Sequence, residues 1–425
     1  MTKCGAFFLA AVLSTITVVA SAQAQQPKAT DYPPPKPAFP GQTGAPAPQK
    51  ASPPLKVDTV VTRLNNPWSM AFLPGGEILV TERTGEMRVV NKDGIFFRPL
   101  AGVPGVKVIG PGGLHDVVLD PHFAQNRLIY FTYYAPPPGE EPGVWPNSFY
   151  GKQVNLPLAD RRAKPIGTER LARARLSDDE KSLGNLQILL DGLERRLLFA
   201  PDGTLFVSGA DRSLLYDAKG DPADHQVNDP SILRTYTGRV ARINPDGSIP
   251  KDNPFVGTSG VPPETYSYGH RDPEGLAINP ATGDLWLAEH GPMGGDEINI
   301  IHAGKDYGWP NVSYGRQYSG DVVGNGAQVK EGTEQPIYFW YPDIGPCGMM
   351  FYTGDMFPEW KGNLFVSALY GKFLIRLVLD GNRIVGEEHL LADLGQRIRN
   401  VQQASDGSVY VLTDAGNILR LTPKK

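Results

Sequence analysis

Leu197-Leu198-Phe199-Ala200-Pro201-Asp202-Gly203-Thr204-Leu205-Phe206-Val207 sets two short apolar runs on either side of a Pro-Asp-Gly turn. Runs of this length, rich in β-prone residues and joined by a tight turn, predict a β-hairpin. The pattern recurs at Met70 to Val80, at Val117-Val118-Leu119-Asp120-Pro121 with Leu128-Ile129-Tyr130, at Leu276 to Leu287, at Met349 to Val366 and at Val401 to Val411. Six copies, about 50 to 80 residues apart and with little helical periodicity between them, predict an all-β chain folded as a six-bladed β-propeller with long connections. A β-sandwich is the competing all-β fold, but it gives no reason for one turn pattern to recur six times.

The N-terminal part reads differently. Residues 1–24 have the form of a signal peptide: Lys3, a mostly apolar stretch from Ala6 to Ala22, and small residues at Ala22-Gln23-Ala24. Residues 25–56 are dense in Pro, Ala, Gln and Lys without periodicity, which predicts a Pro-rich, largely disordered linker ahead of a propeller domain at 57–425. A periplasmic or secreted protein is therefore expected, with no membrane span after signal cleavage. Cys4 lies in the signal and leaves Cys347 alone, so no intramolecular disulfide is expected although the compartment would permit one. A formal net charge of -4, without clustered Lys and Arg, argues against a nucleic-acid surface.

The loops at one end of a propeller channel form its natural binding site. The stretch from Tyr268 to Pro310 concentrates His, Arg, acids and glycines there. Arg271, in His270-Arg271-Asp272 just before the fourth hairpin, offers a planar fork to a carboxylate or quinone oxygen, or else a structural ion pair between blades. Arg397 and Arg399, before the sixth hairpin, alternate onto one strand face and imply an anionic partner. Gly291-Pro292 with Gly294-Gly295-Asp296-Glu297 offers the backbone and carboxylate oxygens that calcium prefers. The acidic run Asp217, Asp221, Asp224 and Asp229 reads as a solvated loop that could also attract calcium. Segments 135–190, 212–237 and 311–335 are candidate walls of a pocket. No phosphate-binding loop, zinc-protease His pair or nucleophile elbow is present.

Together, Tyr268-Gly269-His270-Arg271-Asp272-Pro273-Glu274-Gly275, Glu289-His290-Gly291-Pro292, Gly295-Asp296-Glu297, Tyr307-Gly308-Trp309-Pro310 and Arg242-Ile243-Asn244-Pro245-Asp246-Gly247 resemble the soluble quinoprotein glucose/sorbosone dehydrogenases, or aldose sugar dehydrogenases, from about residue 57 onward. The resemblance implies an exported six-bladed propeller that uses pyrroloquinoline quinone (PQQ) and calcium to oxidise the anomeric carbon of an aldose to a lactone, passing electrons to an acceptor that the sequence does not name. It implies Arg271 at the reactive quinone oxygen with Asp272 beside it, Arg397 and Arg399 at the cofactor, and Gly291 and Pro292 as carbonyl ligands of the cofactor's calcium. Glu297 and Tyr307 would hold a second, structural calcium. Trp340 would flank the sugar, and Asp211 would orient the catalytic His.

The chain departs from that pattern where the base should stand. Gly192 occupies the position of the family His, Pro111 that of a Gln, Asp272 that of an Asn, and Tyr370 that of a Lys. Asp191, Glu194 and His115 are the candidate replacements for the base. A non-redox alternative follows from the same departures: a calcium-stabilised propeller of this family that binds a carbohydrate or other ligand.

Overall fold

The computed structural model describes residues 27–91, 93–95, 98–144, 167–211 and 238–424. The expected signal peptide and the acidic run at 217–229 lie outside the described residues. Six antiparallel sheets form the blades, each carrying one of the six hairpins as its two inner strands. The inner strands are Pro67–Phe72, Leu114–Leu119, Leu197–Phe199, Pro273–Ile278, Pro346–Phe351 and Ile398–Gln403. Blade one has three described strands and the others have four. In blade six the outer strand is Leu55–Val61, which pairs with Ile418–Pro423 from the far end of the chain. The ring is thereby closed by both termini, and one sheet edge is covered.

Two expected boundaries change. The segment 135–190 is not a loop throughout: Thr168–Leu176 and Leu183–Asp191 are the outer strands of blade two. The proline-rich segment is docked rather than disordered over its described part. Gln42 is fully buried, donates to the Pro336 carbonyl at 2.8 Å and accepts from the Tyr314 hydroxyl at 3.2 Å. The Phe339 and Glu387 amides donate to the carbonyls of Gln42 and Pro46, and Arg376 donates to that of Lys50. Prolines lack donors but leave their carbonyls free, so this segment satisfies polar groups on the outer strands of blades four and five.

Packing between blades is apolar and aromatic: Trp286 meets Phe351 edge to face at 5.4 Å, within a cluster that includes Met349, Leu364 and Val366. Such burial, at about 25 cal/mol per Å², is what holds a propeller together without disulfides. The central channel contains a cavity of about 830 Å³ that runs to the Pro-Asp-Gly turn end, past Leu197, Phe199, Leu276 and Met349. Arg196 and Asp116 floor it and separate it from the opposite mouth.

Candidate active site

The mouth opposite those turns is built from the loops entering the inner strands and the turns leaving the second strands. Arg271 leads into the inner strand of blade four. Its backbone N–H donates to the Glu289 carboxylate at 2.7 Å, and Nη1 donates to the carbonyls of His290 and Gly291 at 3.1 and 2.9 Å. The guanidinium lies 5.5 Å from the Trp309 ring and 6.0 Å from that of Tyr318, in cation–π range. Its Nε is buried without a hydrogen-bond partner. A buried, unpaired charged donor is costly, so this geometry fits an anionic oxygen supplied by a ligand.

Asp272 accepts from Arg195 Nε at 3.0 Å, and its other oxygen lies 3.6 Å from His290 Nδ1. Burial alone would raise its pKa, but Arg195 above all, with Arg271 and the positive charge of His290 whenever that ring is protonated, holds it below the usual carboxylate range. Arg195 is also 3.3 Å from Glu194 and 3.4 Å from Glu274, so three carboxylates surround one buried guanidinium. Arg399 grips Asp414 through Nε and Nη2 at 2.9 and 3.0 Å, and Arg397 adds a third bond to the same carboxylate at 2.8 Å. The expected alternation onto one face is observed, and Asp414 is an anionic partner within the chain. Burial opposes ionisation of Asp414, yet Arg399 and Arg397 depress its pKa.

Beneath Arg271 lies a cavity of about 20 Å³, lined by Glu289, Glu297, Gly291, Tyr307 and Trp309. That is room for about one water or ion. Burial pushes the Glu297 pKa well up, and the neighbouring charge of Glu289 pushes it further. A buried carboxylate beside a half-buried one, with carbonyl oxygens nearby, suits a hard cation. Among the described residues, no three side chains of His, Cys, Asp or Glu converge as a metal shell, so backbone oxygens would have to complete it. Pro292 is not part of this cavity and packs against Gly315.

Other expected residues are placed elsewhere. Asp191 ends the outermost strand of blade two, is exposed, and pairs with Arg170 at 3.0 Å. The register runs Asp191 to Arg170 to Tyr133 to Leu114, three ladder steps or about 14 Å from the inner strand. It is therefore no base for chemistry in the mouth. Trp340 sits on the outer strand of blade four, in the core shared with blade five, with its indole N–H donating to Glu387 at 3.1 Å. It does not flank the mouth. Tyr318, which the sequence reading did not single out, is the exposed aromatic ring beside Arg271. Asp211 does reach the site: its amide donates to the Arg271 carbonyl and its carboxylate accepts from the Trp309 indole at 2.7 Å.

The base position is also clarified. Gly192 has φ 96°, a conformation that favours glycine, so it acts as the pivot between blades two and three. His115 is fully buried with its ring nitrogens on the carbonyls of Glu194 and Pro111, and burial with the Arg195 charge pushes its pKa down to about 3. The neutral ring can donate to only one of these carbonyls, and the other carbonyl oxygen covers the remaining nitrogen, so neither reaches substrate. His290 was missed although it lies inside the polar stretch from Tyr268 to Pro310. Carbonyls only accept, so the 2.7 Å contact to Pro346 fixes a proton on Nε2 and leaves the Nδ1 lone pair without a hydrogen bond. The ring is 21% exposed, enough to be reached from the mouth.

Residues 64–420 match the family model for glucose/sorbosone dehydrogenase. The chain is 37% identical over 374 residues to the aldose sugar dehydrogenase YliI of Escherichia coli, covering 87% of this chain and 93% of that protein. It is 28% identical over 426 residues to quinoprotein glucose dehydrogenase B of Acinetobacter calcoaceticus, covering 84% and 85%. The fold superposes on the apo-form of the soluble E. coli aldose sugar dehydrogenase with a TM-score of 0.74 and 35% identity, over 87% of this chain and 100% of that one. It superposes on the PQQ-bound aldose sugar dehydrogenase of Streptomyces coelicolor with a TM-score of 0.63 and 25% identity, over 87% and 99%. The chain belongs to the glucose/sorbosone dehydrogenase family.

Proposed function

We propose that this protein is an exported, PQQ- and calcium-dependent dehydrogenase that oxidises the anomeric carbon of an aldose to a lactone and hands the electrons to an external acceptor. The observation that carries the reading is Arg271, buried in the mouth with an unpaired Nε and held in place by the carbonyls of the His290-Gly291 turn. PQQ, when bound, supplies the hydride acceptor. Arg271 offers its free N–H to an anionic oxygen, and Arg397 and Arg399 offer positive charge on the blade-six side. Glu289, Glu297 and the carbonyls lining the small cavity provide the oxygens for calcium. The Gly291 carbonyl has a second lone pair, so its bond from Arg271 leaves room for a cation.

In this reading His290 takes the place of the base missing at Gly192. Pro346 holds its Nε2–H, Nδ1 accepts the proton of the anomeric hydroxyl, and Asp272 stabilises the imidazolium that results. The Asp at 272, unfavourable beside an anionic cofactor, thereby gains a purpose. The test is reduction of an artificial electron acceptor by protein reconstituted with PQQ and calcium, across a panel of neutral and acidic aldoses; no reduction with any of them would sink the reading. The closed Arg195 network favours the second reading, a family member that binds sugar without redox chemistry, and that reading fails if the acceptor is reduced.

A further inference from the structure

Arg83 follows the second strand of blade one, at the same end of the ring as Asp414 and His290. Its position is fixed by its surroundings. Its amide donates to the Asn66 carbonyl at 2.9 Å, and its carbonyl accepts from Leu114 at 3.1 Å. A β-carbon on Gly113, which has φ 144°, would lie 2.6 Å from Arg83 Cγ, so glycine there lets the arginine stem pack onto the loop entering blade two. The adjacent Glu82 is committed to Arg88 and the Asn65 amide.

The arginines around it are all satisfied: Arg195 by three carboxylates, Arg196 by Asp116 and the carbonyls of Glu274 and Arg399, and Arg399 by Asp414. The half-buried Arg83 guanidinium has no hydrogen bond or ion pair among the described residues. Burial, and then the like charges of Arg399 and Arg195, lower its pKa, while Asp414 opposes them only in part. A positioned cation with no bonded acceptor, near two like charges that Asp414 offsets only in part, is open to a further anion.

We propose that Arg83 supplies the open donor of a carboxylate-binding cradle on the side of the mouth where the loops of blades one, two, three and six converge, with the paired Arg195 and Arg399 adding positive field around it. The carboxylate can come from the tricarboxylate cofactor or from an acidic aldose such as a hexuronic acid. The cofactor arm rests on the function proposed above, whereas the substrate arm does not.

The experiment is calorimetric titration of calcium-loaded protein with PQQ, D-glucuronate and D-glucose, for the wild type and for Arg83→Gln and Arg83→Lys. Removing a charge-assisted hydrogen bond predicts about 10- to 100-fold weaker binding of the carboxylate ligand to Arg83→Gln, partial recovery in Arg83→Lys, and unchanged glucose binding. Loss confined to PQQ assigns the cradle to the cofactor, and loss confined to glucuronate assigns it to the substrate. Wild-type binding of glucuronate without PQQ keeps the cradle and removes the dehydrogenase reading. Equal affinity of wild type and Arg83→Gln for both carboxylates overturns the cradle and leaves that reading intact. If neither ligand binds the wild type, both fail.

Discussion

The loops entering blades three and four are neighbours in the ring and carry the same kinds of side chain, yet they use them in opposite ways. At blade three, Arg195 is saturated by Glu194, Asp272 and Glu274, and Arg196 spans the channel. At blade four, Arg271 keeps an unpaired Nε above a small cavity lined by two carboxylates. The first region spends its charges on holding the blades together. The second holds charge in place without neutralising it, which is the condition for binding and for electrostatic stabilisation.

The largest expected effect concerns His290. His290→Gln should lower kcat by about 100- to 10,000-fold while leaving PQQ affinity near that of the wild type. An unchanged kcat would return the search for the base to the loop entering blade three. Next is Arg195→Met, which leaves three carboxylates around an uncharged side chain. Denaturant unfolding should show a loss of about 3 to 5 kcal/mol, because breaking a buried ion cluster exposes its uncompensated charges. Arg271→Met should cost less stability and abolish tight PQQ binding. If the two variants behaved alike, the contrast between the loops would be lost.

Removal of calcium comes third. A ligand present at about 100 times its Kd stabilises by about 2.7 kcal/mol, so chelation should lower Tm by several degrees in the wild type and by less in Glu297→Gln. A chelator that leaves the wild-type Tm unchanged counts against the cation cavity. The smallest effect is at Asp414. Its pKa is depressed in the folded state, so its contribution is complete above the unfolded value of about 3.9 and is lost as pH falls through the folded one. Asp414→Asn should therefore cost about 1 kcal/mol near neutral pH and nothing at the acid end, with a shallower fall in stability below about pH 4.

The blades were legible because a Pro-Asp-Gly hairpin is local chemistry and repeats. Arg271 and the Arg397–Arg399 pair were legible because a charged fork just before an apolar strand must sit at its mouth. Trp340 and Asp191 misled because they were carried over from the family resemblance, and a matched position in the chain does not say how many ladder steps separate its strand from the channel. The docking of Gln42 was hidden for a related reason: proline-rich composition says that a segment forms no regular structure of its own, but not that distant strands need its carbonyls. His290 carried a readable signal, an imidazole abutting a Gly-Pro turn, but its free nitrogen became visible only once the Pro346 carbonyl was placed beside the other.

The most direct test of the central claim is equilibrium titration of the purified protein with PQQ in the presence of calcium, followed by the change in cofactor absorbance. Saturable binding of one PQQ per chain is expected, weakened by chelation and by Arg271→Met, with a further spectral change when an oxidisable aldose is added. A correctly folded, calcium-loaded protein that binds no PQQ would contradict that claim.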